Sequence, residues 1–156
     1  MSSTRKKSKQ IENEHYEIAV EDWEAYYRFG INNINKDIIP GDYWEISELI
    51  LLGKIVSPAL EKATQVKISI TERPELDDHW KHEDPDNPPL AVGWMEIPRS
   101  DDTLMMNWWI PSRSFRHVVI SVASGKIKYA SVFGTKLKRR RGKIFYIRLS
   151  AHREED

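Results

Sequence analysis

The sequence predicts a mainly β fold: a two-layer antiparallel β-sandwich or a partly open barrel, with one short helix near residues 112–124. Three features point there. Apolar and polar residues alternate with period two through roughly eight short segments, the pattern of strands with one face buried. Helical spacing is clear only once, and turn-forming residues recur between the segments without the crossover helices that an α/β sheet requires.

Residues 1–12 carry Arg5, Lys6, Lys7 and Lys9 with only Met1 and Ile11 apolar, so they are expected to form a disordered basic tail. A single β-rich domain is expected over 13–152. From His15, Tyr16, Ile18 and Val20 alternate with Glu17 and Ala19. Trp23, Ala25, Tyr27 and Phe29 then alternate with Glu24, Tyr26 and Arg28, and the Glu21-Asp22 pair between the two runs reads as a bend or bulge. Residues 30–42, with three asparagines and Pro40-Gly41, read as a loop.

Residues 43–56 are the most apolar stretch, with Trp44, Ile46, Ile50 and Leu52 on one parity and Leu49 and Leu51 on the other. A central strand covered on both faces fits better than a helix, which Gly53 and Ser57-Pro58 would leave short. Val66, Ile68 and Ile70 against Lys67, Ser69 and Thr71 form the cleanest half-buried strand. Residues 72–89 hold four prolines and read as an acidic loop, followed by strands over 90–97 and 103–110 whose Trp94, Met106 and Trp108 are expected inside.

Phe115, Val118, Val119 and Val122 fall at i, i+3, i+4 and i+7, one apolar helical face, with Ser112 or Ser114 available as a cap and Gly125 to end the helix. Thereafter the period returns to two. Ile127, Tyr129, Ser131 and Phe133 share one face, as do Phe145, Ile147 and Leu149, and both sets are expected in the core. Residues 139–142 (Arg-Arg-Arg-Gly) then form the turn of a basic hairpin.

A chain of 156 residues can bury a core large enough to fold without staples, and it contains no cysteine. Disulfides, thiolate metal sites and thiol nucleophiles are therefore excluded, which suits a reducing compartment. The first residues lack the apolar run of a secretory signal, and no stretch approaches the ~20 apolar residues of a membrane span, so a cytoplasmic location away from membranes is expected.

The formal net charge of zero conceals segregation. Residues 11–110 hold 8 basic and 21 acidic side chains, while residues 111–156 hold 12 basic and 3 acidic. Early acidic strands paired with late basic ones would account for this, as would an electrostatic binding face.

Lys136, Lys138, Arg139, Arg140, Arg141 and Lys143 are the sharpest local signal. Like charges this close repel, and phosphates would relieve that cost, so the expected partner is nucleic acid or an acidic protein surface. In the adjacent Trp108-Trp109 pair one indole must face outward, which makes Trp109 a candidate aromatic contact.

No glycine-rich nucleotide loop and no Gly-x-Ser-x-Gly elbow occurs, so neither a cofactor nor a catalytic residue is expected. The leading expectation is a small binding or interaction module. The alternative is a metal-dependent hydrolase using His79, His82, Asp84 and Asp86 in the acidic loop 72–89, since imidazoles and carboxylates are the usual ligands of zinc or manganese.

Overall fold

A computed structural model describes residues 11–31, 43–76 and 90–154. Seven strands are present among them: β1 (Asn13–Ile31), β2 (Tyr43–Ser57), β3 (Gln65–Arg73), β4 (Gly93–Glu96), β5 (Thr103–Pro111), β6 (Tyr129–Thr135) and β7 (Arg141–Ser150). One helix, α1 (Ser112–Ala123), joins β5 to β6.

The sheet closes in the order β1-β2-β3-β5-β4-β7-β6, with β6 returning to pair with β1. It is therefore a closed barrel, and the two-layer sandwich is not what forms. Closure leaves no unpaired edge around the ring. Every pairing is antiparallel except β3 with β5, which run parallel.

The two alternating runs at 15–20 and 23–29 belong to one strand. The register of β1 on β2 shifts between Val20 and Asp22, so Glu21 is the extra residue of a bulge and the chain continues without a break. Beyond the Tyr26–Glu48 pair, where β3 ceases to pair with β2, β1 and β2 run on together as a two-stranded ribbon past the end of the ring. Its alternation therefore buries little: Tyr26, Tyr27, Phe29 and Ile46 are all exposed.

The interior is filled by Tyr16, Ile18, Leu49, Leu51, Val66, Ile68, Ile70, Met95, Leu104, Met106, Val132 and Ile144. Val122 of α1 is buried against this core, with Phe115, Val118 and Val119 packed beside it, so the helical face read from the sequence is the face that docks. Neither serine caps the helix. Pro111 occupies the cap position and makes no capping hydrogen bond, having no polar side-chain atom to accept one. Gly125, at φ 74°, ends the helix as expected.

Expected faces are reversed on β6 and, in part, on β7. On β6 it is Ala130 and Val132 that are fully buried in the core, so Tyr129, Ser131 and Phe133 share the outer face. On β7, Ile147 and Leu149 do pack inward, but Phe145 is exposed and Ile144 is buried. The cause is a register shift that sets Tyr146 opposite Phe133 and Ile144 opposite Gly134, leaving Phe145 as the extra residue and switching the parity of the strand there.

On β4, Met95 fills the barrel while Gly93 lies so close to β5 that a Cβ would stand 2.0 Å from the Asn107 carbonyl oxygen. Trp94 between them is turned outward. Trp108, by contrast, packs against the core as expected. No helix among the described residues is long and apolar enough to cross a membrane.

Candidate polyanion-binding face

The β6–β7 hairpin turns more tightly than the sequence suggests. Lys138 and Arg141 exchange backbone hydrogen bonds of 2.9 and 3.1 Å, so Arg139 and Arg140 are the two central residues of the turn. Both lie in the left-handed region, at φ 52° and 67°. This is the backbone of a type I′ turn, which favours Asn-Gly because a Cβ there is strained. Gly142, expected in the turn, lies instead in β7, where a Cβ would meet Met95 Cε at 2.9 Å and Thr135 Oγ1 at 3.0 Å.

The tip is fastened to its surroundings by main-chain groups. Arg140 Nη1 donates to the Pro98 carbonyl oxygen at 3.0 Å, and the Ile97 N–H donates to the Arg140 carbonyl oxygen at 2.9 Å. Lys136 N–H donates to the Glu12 carbonyl oxygen at 2.8 Å, and Lys143 N–H to Thr135 Oγ1 at the same distance. Leu137 turns inward against the core. The charged heads are thus carried on a fixed frame.

Four of the six cations, Lys136, Lys138, Arg141 and Lys143, line one hollow of about 570 Å³, and Trp94 and Ile11 form part of its wall. Arg139, Arg140 and Arg141 line a smaller hollow of about 270 Å³ together with Arg99 and Glu96. Arg141 and Glu96 border both, so the two hollows flank one ridge.

Compensation by carboxylates is partial. Arg141 stands 3.6 Å from Glu96 and Lys136 3.4 Å from Glu12, whereas among the described residues no carboxylate lies within ion-pair distance of Lys138, Arg139, Arg140 or Lys143. Ion pairs as exposed as these contribute about 0–1 kcal/mol, so a phosphate can displace them at little cost. The described carboxylates therefore touch the hairpin without neutralising it.

Aromatic side chains are exposed on the same hairpin and on β4 beside it. Trp94 is 41% exposed, and Phe133, Phe145 and Tyr146 are exposed on the outside of the same hairpin, the two phenyl rings 6.2 Å apart and tilted by 51°. Trp94, Phe133 and Phe145 are aromatic surface that the sequence assigns to the core, and Arg99 is a seventh cation outside the basic run. The usable signal was Ala130-x-Val132-x-Gly134, a row of small residues that fits a crowded barrel interior better than the bulky row beside it.

The remaining candidates lie elsewhere. Trp109 sits on β5 opposite Thr71, with the Arg73 guanidinium 4.2 Å above its ring, and lines neither basic hollow. His79, His82, Asp84 and Asp86 fall outside the described residues. Comparison with protein-family models, with curated proteins and with solved structures finds no match.

Proposed function

We propose that this chain is a binding module for single-stranded nucleic acid, held by its phosphates along the basic hairpin with a base stacked on Trp94. The observation that carries the reading is the convergence of four cations and one exposed indole on a single hollow. Proteins that bind single strands with little sequence preference combine a cationic track for the backbone with aromatic faces for the bases. Each stacked base is worth about 1–3 kcal/mol by alanine substitution, and any base suffices because all present a π face.

The conformation of Arg139 and Arg140 supports the same reading. A side chain held in the left-handed region costs roughly 1–2 kcal/mol, and two adjacent arginines there set that cost and their mutual repulsion against whatever their charge achieves. A polyanion relieves the repulsion. Only phosphate contacts and stacking are invoked, so binding is expected to be non-specific, in the range ~10⁻⁴ to 10⁻⁶ M.

Titration of a labelled oligothymidylate and of a duplex of equal length, at low salt, tests this. The single strand should bind more tightly than the duplex, and Trp94→Ala should remove most of that preference. Absence of binding, or equal affinity for both forms in the wild type and the variant, overturns the proposal.

A further inference from the structure

Outside the barrel, away from the basic hairpin, one imidazole and two carboxylates converge where the chain leaving β7 folds back over β1. His15 and Glu17 are two apart on β1 and share its outer face, and Glu154 follows the end of β7. One donor atom from each lies within 4.8 Å of the others. We infer that His15, Glu17 and Glu154 form a binding site for a divalent transition cation of the zinc class.

The donor set fits that class. One imidazole with two carboxylates suits zinc or manganese, and three protein donors leave a position for water. Donors around zinc stand at about 2.0–2.2 Å, and inward movement of less than ~1 Å per donor brings this group to that radius.

Burial and orientation carry the argument further. Glu17 is only 5% exposed on the outside of a barrel, an expensive place for a carboxylate, and the Glu154 N–H donates to its Oε1 at 3.4 Å. Glu154 Oε2 is sealed from solvent and accepts no hydrogen bond, although His15 Nε2 stands 3.2 Å away. A buried carboxylate oxygen that accepts no hydrogen bond and has only an imidazole beside it offers a position to a cation shared with that imidazole.

Both carboxylates are already oriented. Ser131 Oγ donates to Glu17 Oε2 at 2.6 Å and the Glu154 N–H to Glu17 Oε1 at 3.4 Å, while Arg148 Nη1 donates to Glu154 Oε1 at 3.3 Å. Outer contacts of this kind fix the orientation of metal-binding carboxylates. Arg148 supplies one positive charge against two carboxylates, and His15 a second only when protonated, so a cation held by the neutral imidazole completes the balance. Bound there, it would clip the carboxy-terminal segment to β1.

The test is calorimetric titration of the full chain, freed of metal, with zinc chloride. One zinc per chain is expected, together with a rise in melting temperature, because a ligand bound only by the folded state stabilises it. His15→Ala and Glu154→Gln should each weaken binding at least roughly tenfold and abolish the thermal shift. Both positions lie outside the core, so the variants should fold, which circular dichroism verifies. A His79→Ala/His82→Ala variant should keep the site. Absence of saturable binding in the wild type, or zinc binding that persists in the His15 and Glu154 variants, overturns the inference.

Discussion

Trp94 and Lys143 face each other across the β4–β7 ladder, and both side chains are turned away from the barrel. A cation and an indole are thereby fixed on neighbouring strands, at the spacing of a directly opposed pair. A phosphate on Lys143 and its base on Trp94 need no rearrangement of either strand.

Trp94→Ala should accordingly weaken binding of a single-stranded oligonucleotide by about 1–3 kcal/mol. The fold should persist, since Met95 rather than Trp94 occupies the interior at β4. Dissociation constants and urea midpoints of the same preparations check both halves. An unchanged affinity would remove the indole from the site.

Arg139→Asn combined with Arg140→Gly should stabilise the protein while weakening its hold on a polyanion. The turn backbone at φ 52° and 67° suits Asn-Gly, so relief of strain on the order of 1 kcal/mol is expected in chemical denaturation. Opposite signs of the two effects are the informative result. Loss of stability in this variant would show that the arginines are held there by contacts that outweigh the strain.

Ile144→Ala should cost about 2–5 kcal/mol, because the side chain is fully buried, whereas Phe145→Ala should cost clearly less. Denaturant unfolding of the two variants tests the bulge directly. A larger loss at Phe145 would restore the unbroken alternation and contradict the register.

This strand shows where the sequence ceases to be legible. Alternation identifies β7 and the inward side of Ile147 and Leu149, but one extra residue inverts the face of everything before it. Nothing in Ile144-Phe145-Tyr146 announces the extra residue. The same holds for β6, where Tyr129 and Phe133 carry far more side-chain surface than Ala130 and Val132, yet the barrel interior has room only for the smaller set.

The bulge at Glu21 and the docking face of α1 were legible, since Glu21-Asp22 interrupts one periodicity and Phe115 to Val122 supplies another. Closure of the sheet was not, because it depends on β1 reaching both β2 and β6, and pairing partners leave no local mark. Of the candidate site, the cations were plain in the sequence and the aromatic surface beside them was hidden by the reversed faces.

Tyr16 provides a test by pH. Burial pushes its phenol up to about 12, and its hydroxyl donates to the Thr135 carbonyl oxygen at 3.1 Å. The folded state thus favours the neutral form. Its contribution is complete below pH 10 and is lost as pH rises from 10 towards 12, by on the order of 3 kcal/mol. Urea midpoints of the wild type and Tyr16→Phe, compared across that range, should converge as pH rises; a constant difference would contradict the assignment.

The salt dependence of oligonucleotide binding tests the central claim most directly. Four cations line the main hollow, and single strands contribute about 0.7 per neutralised phosphate, so log Kobs against log salt should fall with a slope near roughly −3. Replacing Lys138, Arg141 and Lys143 together by serine should bring that slope towards about −1 without unfolding the barrel. Binding that is insensitive to salt, or a slope unchanged by the triple substitution, would contradict a polyanion site on this hairpin.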